Sequence, residues 1–123
     1  MATVIGAEPL DLARKIETAK QLSGPRLILA LAPCPTGWDF EPRLTGEVGR
    51  LAVKTGVWPL KEYRDGRVRH TKVPRQRLPM ADYLSLQGRF RQLFEPERRQ
   101  ADIDAIQRRV DAYWAEIETG DES

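Results

Sequence analysis

Cys34 is the residue of this 123-residue chain whose type and setting could do chemistry. It is the single cysteine of the sequence, and it stands between Pro33 and Pro35. A thiolate is a nucleophile and an iron ligand, and the cysteine ligands of iron–sulfur clusters are often followed by proline. A cluster needs four thiolates, however, and a lone cysteine in a small domain is usually a buried apolar side chain. The residues alone therefore favour a buried cysteine and leave a cluster ligand as the alternative.

The other residue types that support catalysis do not form a recognisable site. The single histidine, His70, falls on a predicted strand, where a structural role on the strand face is favoured over a metal or triad role. The chain has neither the Gly-x-Gly-x-x-Gly pattern nor the glycine-rich Gly-Lys-Ser/Thr pattern that holds phosphate groups. Asp65-Gly66 lies between two strand-like runs and predicts a hairpin turn rather than a site.

The segments before Cys34 predict a strand, a helix and a second strand. A short apolar run, Thr3–Gly6, precedes a helix over Pro9–Leu22, and Ser23-Gly24-Pro25 ends that helix. The run Arg26–Ala32 is almost continuously apolar, which is typical of a parallel strand buried on both faces. This order predicts a right-handed βαβ unit with Cys34 at the carboxyl end of a parallel strand, where open α/β sheets place their sites.

Two further expectations concern the surroundings of Cys34. Two prolines and one glycine predict that residues 33–38 form a rigid loop without regular secondary structure. The outer backbone edge of Arg26–Leu31 is expected to stay open unless the Val57–Lys72 hairpin or a second copy covers it, so that the isolated chain is marginally stable or oligomeric.

The rest of the chain predicts helices and one hairpin, which together give an α/β fold class. Gly46 and Gly49 predict a close approach by another backbone or a ligand, because each costs about 1 kcal/mol in a helix relative to alanine. The last helix carries one apolar stripe, formed by Ile103, Ile106, Val110, Tyr113 and Ile117. The predicted elements are a helix from Pro42 or Arg43 to Thr55, hairpin strands Val57–Tyr63 and Arg67–Lys72, a helix Pro79–Leu86, a turn or two over Gly88–Phe94 and a last helix from Pro96, followed by a polar tail over residues 119–123.

Composition limits the class of protein. A mass of 14.0 kDa allows one domain, and no apolar run is long enough to span a membrane or to form a signal peptide. One cysteine fits a reducing, cytoplasmic compartment. Residues 1–78 carry 14 Lys/Arg and 8 Asp/Glu, whereas residues 79–123 carry 6 and 10. The basic stretch Lys61–Arg77 lacks a nucleic-acid motif, so a solvated strand face is favoured and neither nucleic acid nor membrane is expected as a partner.

Several sequence blocks together carry a family resemblance, which extends from about Thr3 to Phe94. The chain resembles the C-terminal part of the beta subunit of pyruvate:ferredoxin oxidoreductase and its 2-oxoacid relatives. The blocks are Pro9–Ile16, Gly24–Trp38 with its Pro-Cys-Pro-Thr-Gly-Trp sequence, Glu47–Leu60 with Gly-Arg-Leu-Ala and Trp-Pro-Leu, and Leu84–Phe90 with Leu-Gln-Gly-Arg-Phe.

The resemblance implies a thiamine-diphosphate-binding α/β fold and a place beside an iron–sulfur cluster. In that family the subunit binds thiamine diphosphate and Mg²⁺, and a proximal [4Fe-4S] cluster lies next to the thiazolium. The resemblance makes Cys34 one ligand of this cluster, and it makes Pro35, Thr36, Gly37 and Trp38 one wall of the cluster pocket. The implied reaction is the oxidative decarboxylation of a 2-oxoacid such as pyruvate to acyl-CoA, with electrons leaving to ferredoxin.

The chain also departs from the family. The other cluster cysteines, which include a Cys-x-x-Cys pair, and the Gly-Asp-Gly metal motif precede this segment in the family and do not occur in these 123 residues. The resemblance therefore implies a partial subunit that is inactive alone and whose partners are the remaining beta-subunit portion and the other oxidoreductase subunits. Residues 1–94 are interpreted as the subunit-like domain, and residues 95–123 as an amphipathic helix with a polar tail.

A second hypothesis needs no cofactor. The chain would then be a non-catalytic α/β interaction module, or the product of an inactive gene fragment, with a buried cysteine and with the last helix as its binding element. Trp38 would be a core aromatic residue in this hypothesis and a shield for the cofactor in the first. The sequence does not distinguish among 2-oxoacids.

Overall fold

The structure, a computed structural model, describes residues 1–119 and contains a mixed four-stranded sheet in the order β2-β1-β3-β4. Strands β1 and β2 are parallel, with Ala2 opposite Ile28 and Ile5 opposite Leu31, whereas β1–β3 and β3–β4 are antiparallel. The fold is therefore α/β, as predicted, and its parallel pair is the predicted βαβ unit. The strands are β1 (Ala2–Ile5), β2 (Ile28–Leu31), β3 (Leu60–Arg64) and β4 (Arg67–Lys72).

Helix α1 (Pro9–Gln21) connects the two parallel strands. Pro9 opens it because the missing proline N–H has no partner in a first helical turn. The helix packs on the sheet with Lys15, which is buried and donates hydrogen bonds to the Thr3 carbonyl at 2.9 Å and to Asp11 at 2.6 Å. Its apolar residues Leu10 and Ile16 are 72% and 42% exposed. The helix was predicted correctly, and only the structure shows that this apolar face is uncovered.

Strand β2 departs from the prediction in length and in burial. It spans Ile28–Leu31 instead of Arg26–Ala32, and Leu29 and Ala30 within it are exposed. The prediction of a strand buried on both faces is therefore wrong for this chain. The physical reason is the strand order, because the hairpin pairs with β1 and leaves β2 at the edge of the sheet.

The β3–β4 hairpin was predicted from Asp65-Gly66. Both turn residues have positive φ angles, 54° and 79°, which is the turn geometry that matches the twist of two antiparallel strands. Thr3 joins the hairpin to β1, since its Oγ1 donates to the Pro59 carbonyl at 2.6 Å and accepts from the Lys61 amide at 2.9 Å.

The core lies where α3 (Thr45–Lys54) packs against α4 (Met80–Ser85), the strands and the last helix. The segment predicted as one helix from Pro42 or Arg43 to Thr55 is a short 3-10 helix, Pro42–Leu44, followed by α3. A Cβ at Gly49 would lie 3.1 Å from the Ala7 side chain, so the close approach at Gly49 is made by a side chain rather than by the predicted backbone, whereas a Cβ at Gly46 would meet nothing within 4 Å.

Helix α5 (Gln100–Thr119) begins four residues after the predicted start at Pro96. The Arg99 amide donates to the Leu93 carbonyl at 2.8 Å, which folds the intervening residues into a loop. Trp114, absent from the predicted stripe, is fully buried, and its indole N–H donates to the Gly56 carbonyl at 2.9 Å. Ile103, Val110 and Trp114 of α5 belong to the same core cluster as α3 and α4.

Two sequence predictions at this end of the chain stay predictions. The division at residue 94 is one of them. The other is the polar tail, of which residues 120–123 lie outside the described part of the chain. Within residues 1–119, no helix is both long and apolar enough to cross a membrane.

Candidate functional site around Cys34

Cys34 lies three residues beyond the end of β2 and caps a single helical turn, α2 (Pro35–Trp38). Its Sγ accepts a hydrogen bond from the Gly37 amide at 3.3 Å, and its carbonyl accepts from the Trp38 amide at 2.8 Å. The prediction that residues 33–38 lack regular structure is therefore wrong. Pro35 is the reason, because proline is well suited to the first position of a helix.

The Cys34 thiol is free and exposed. The interpretation of Cys34 as a buried apolar side chain is therefore wrong for this chain. The sulfur meets the requirements of one iron ligand, since it is reachable from outside and already accepts an amide hydrogen bond of the kind that tunes a cluster thiolate. Among the described residues there is no group of three or more His, Cys, Asp or Glu side chains that could hold a metal ion. The chain thus fits a cluster as the donor of one ligand and no more.

Arg89 stacks on Trp38, the last residue of α2. Its guanidinium carbon lies 3.9 Å from the centre of the Trp38 ring and 4.5 Å from that of Phe90, a cation–π arrangement. Gln87, which is buried, accepts a hydrogen bond from Arg89 Nε at 2.7 Å, and Tyr83 OH accepts one from Arg89 Nη2 at 3.3 Å. The guanidinium is therefore held over the indole ring. Sequence reasoning did not identify this role, and no local pattern signals it.

Asp39, which follows α2, links the end of this helical turn to the segment that contains Gly88 and Arg89. It adopts the left-handed conformation (φ 59°) that ends the helical turn, and its carbonyl accepts from the Gly88 amide at 2.6 Å. A Cβ at Gly88 would overlap the Asp39 side chain, so any other residue there requires that side chain to move. Arg91 adds an exposed ion pair to Asp39 at 3.2 Å. The helical turn is thus held at its last residue, Trp38, and at the residue that follows it, Asp39.

The sequence block Glu47–Leu60, which carries part of the family resemblance, also contacts the segment around Cys34. The Cβ position of Gly49, in α3, lies 3.8 Å from the Pro33 ring. Trp58, from the same block, donates its indole N–H to the Val4 carbonyl at 3.0 Å and so anchors the segment to β1. Segments that are far apart in the sequence therefore pack beside the segment that carries Cys34.

His70 belongs to a different part of the molecule. It lies on β4, is buried, and packs its ring against Tyr113 and Trp114 of α5, with Nε2 2.7 Å from the Tyr113 hydroxyl. The predicted structural role on a strand face agrees with these contacts.

These features define an α/β unit that presents one cysteine at the carboxyl end of a parallel strand. No protein-family model matches the chain. Curated relatives do match it. Pyruvate synthase subunit PorB of Methanocaldococcus jannaschii is 41% identical over 111 residues, which cover 90% of this chain and 36% of that subunit. PorB of Methanothermobacter thermautotrophicus is 43% identical over 117 residues, 95% of this chain and 39% of that subunit.

A second kind of subunit matches as well. Ketoisovalerate oxidoreductase subunit VorB of Pyrococcus furiosus is 36% identical over 118 residues, covering 94% of this chain and 36% of that subunit. The chain is therefore homologous to part of the beta subunits of the 2-oxoacid:ferredoxin oxidoreductases, as its motifs predict. It spans a little over one third of the length of these curated relatives.

Proposed function

We propose that this chain is part of the beta subunit of a 2-oxoacid:ferredoxin oxidoreductase and contributes Cys34 as one ligand of a [4Fe-4S] cluster. The observation that carries the proposal is the exposed Cys34 sulfur on a braced helical turn, in a chain homologous to PorB and VorB. The overall reaction is the oxidative decarboxylation of a 2-oxoacid to acyl-CoA, with ferredoxin as the electron acceptor.

In this proposal, Cys34 is the cluster ligand and the residues that follow it line the cluster pocket. Cys34 supplies the thiolate ligand, and the Gly37 amide donates a hydrogen bond to its sulfur. Pro35, Thr36, Gly37 and Trp38 form one wall of the cluster pocket. Trp38 is held by the Arg89 stack, so this wall is already in place before a cofactor binds.

The polypeptide equivalent to the unmatched part of PorB supplies the other three cluster ligands and the groups that bind thiamine diphosphate and Mg²⁺. When bound, thiamine diphosphate supplies carbanion stabilisation, and the cluster accepts the electrons. The partners are that polypeptide and the other oxidoreductase subunits, and the location is cytoplasmic. Because both pyruvate and ketoisovalerate enzymes are among the named relatives, the proposal is limited to the class of 2-oxoacids.

The test is the iron content of a complex. The chain is co-expressed anaerobically with the part of the M. thermautotrophicus PorB subunit that lies outside the match, and iron and acid-labile sulfide are measured per complex. We expect Cys34→Ser to lose the [4Fe-4S] absorption and electron paramagnetic resonance signal of the wild-type complex, since oxygen is a poor substitute for a cluster thiolate.

Ser23→Ala is the matched control. Ser23 is exposed in the turn after α1 and lies outside the Cys34 segment, so its complex should hold as much iron as the wild type. Equal iron in the Cys34→Ser and wild-type complexes would refute the ligand role and favour the interaction-module hypothesis.

A further inference from the structure

A pocket lies at the opposite end of the parallel strands from Cys34, where helix α1 packs over the amino ends of β1 and β2. It offers about 390 Å³ of empty space, which is within the range of small-molecule sites. None of its lining residues belongs to the segments around Cys34. The pocket is therefore independent of the proposed cluster role.

Apolar side chains form one side of this pocket. Ala19 and Leu22 lie at the end of α1, and Leu27 and Ile28 lie at the start of β2. Leu27 is 56% exposed, so its surface is still in contact with water. An apolar group placed between these side chains would remove that surface from water, which favours binding.

Basic side chains outnumber acidic ones in the lining of the same pocket. Lys15, Arg26 and Arg64 line it, together with the single carboxylate of Glu62. Lys15 and Glu62 each form an ion pair with a side chain outside the lining, at 2.6 Å and 2.8 Å, so their charges are balanced. Arg26 and Arg64 have no carboxylate partner among the described residues. The pocket therefore has two positive charges that an anion could balance.

The two arginines are placed in settings that favour a bound anion. Arg64 lies directly opposite Arg67 in the hairpin, and like charges in opposite positions of two strands repel each other. Arg26 is held at the end of α1, because its Nη1 donates to the Ala19 and Leu22 carbonyls at 3.1 Å and 3.0 Å. Its Nε and Nη2 make no hydrogen bond within residues 1–119. An anion would reduce the repulsion at Arg64 and accept hydrogen bonds from both guanidinium groups.

We propose that this pocket binds a small carboxylate that carries a short apolar chain. The carboxylate lies against Arg26 and Arg64, since the arginine fork matches the two oxygens of a carboxylate. The apolar chain lies against Leu22, Leu27 and Ile28. A neutral ligand would leave the arginines without a counter-charge, and a bare anion would leave the apolar side in water.

The test is a titration of the full chain with hexanoate, followed by NMR of the backbone amides. We expect the Leu22 and Ile28 amide signals to shift saturably, with a dissociation constant on the order of 1 mM. Acetate, inorganic phosphate and hexanol each lack one half of the proposed ligand. We expect each of them to bind at least about tenfold more weakly than hexanoate.

Two pairs of variants test the two sides of the pocket. Arg64→Gln removes a charge from the lining and should weaken hexanoate binding by about fivefold or more, whereas Arg75→Gln removes an exposed charge outside the lining and should change it by less than about twofold. Ala19→Leu fills the pocket and should weaken binding by about tenfold or more. Ala13→Leu is its control, since Ala13 is exposed on the same helix and does not line the pocket.

Several results would overturn the site. They are the absence of a saturable shift with hexanoate, binding of acetate or phosphate as tight as that of hexanoate, and binding of hexanol as tight as that of hexanoate. Equal affinities of Arg64→Gln and Arg75→Gln would also overturn it. Circular dichroism checks that each variant is folded, and the two arginine variants decide if Ala19→Leu is not.

Discussion

The two edges of the sheet differ in how far their side chains are packed. At the hairpin end, His70, Tyr113 and Trp114 pack their rings together, and the edge strand is charged. At the β2 end, leucines and a free thiol face outward. The side chains of the first region pack against one another within this chain, whereas apolar side chains of the second region remain exposed. The comparison indicates that stability resides mainly in the α3–α4–α5 core, and that the β2–Cys34 end, whose apolar side chains are exposed, adds less to it.

The largest effect is expected in the core. Trp114→Ala removes a fully buried indole and its hydrogen bond to Gly56, and should lower the free energy of unfolding by about 3–5 kcal/mol. Chemical denaturation followed by circular dichroism measures this value. Trp38→Ala is the matched control from the other region, and should cost clearly less because Trp38 is only half-buried. Equal costs for the two tryptophans would contradict the comparison.

Gly56→Ala is expected to have the next largest effect. Gly56 has a φ of 84°, and an added Cβ would overlap the indole nitrogen of Trp114 and lie 2.9 Å from Arg77. Strain and overlap together should cost about 2–3 kcal/mol. Gly46→Ala serves as the control, since Gly46 is helical with nothing within 4 Å, and alanine there should stabilise by up to about 1 kcal/mol. Thermal unfolding of both variants measures these changes. A stabilised Gly56→Ala protein would show that Trp114 and Arg77 do not lie as close to Gly56 as the structure has them.

Arg89→Ala should have a smaller effect, centred on the Cys34 turn. Loss of the stack on Trp38 should cost about 0.5–1 kcal/mol and shift the fluorescence of Trp38, which we would isolate in a Trp58→Phe background. Emission from Trp114 should be the same with and without Arg89, because Trp114 packs against His70 and Tyr113 at the hairpin end of the sheet. Arg91→Ala, which removes only an exposed ion pair to Asp39, should change stability by less than about 0.5 kcal/mol and leave the emission unchanged. Identical spectra for Arg89→Ala and its parent would argue against the stack.

The smallest effect on the isolated chain is expected at the open edge. Leu29→Lys replaces an exposed side chain and should change the free energy of unfolding by less than about 0.5 kcal/mol. The same variant should reduce self-association, measured by analytical ultracentrifugation, because charge on an edge strand opposes pairing. A loss of several kcal/mol would mean that Leu29 is buried by its own chain and that the two ends of the sheet are alike.

Some features could be predicted because they depend on a few adjacent residues. Asp65-Gly66 predicted the hairpin turn, and Pro9 predicted the start of α1, since each acts on its own backbone angles. The same local reasoning failed at Pro35 and Pro96. The prolines around Cys34 predict no regular structure, whereas Pro35 opens a helical turn, and the helix expected from Pro96 begins at Gln100.

Other features could not be predicted, because burial depends on which elements pack together. The apolar run of β2 is the same whether or not a neighbour covers it, so its pattern predicted burial where the structure shows an edge. Trp114 is the centre of the α5 contact and was absent from the predicted stripe. Arg89 lies far from Trp38 in sequence, and no local pattern indicates that their side chains stack.

By itself, the sequence determined the α/β class, the hairpin, the position of Cys34 after a parallel strand and the homology to PorB and VorB, because these depend on local backbone preferences and on the order of residues. Only the tertiary structure decided that the Cys34 thiol is exposed, that Arg89 and Gly88 brace its turn, and that β2 lies at an open edge. The physical reason is that exposure and contact are properties of packed elements, which meet only after the chain has folded.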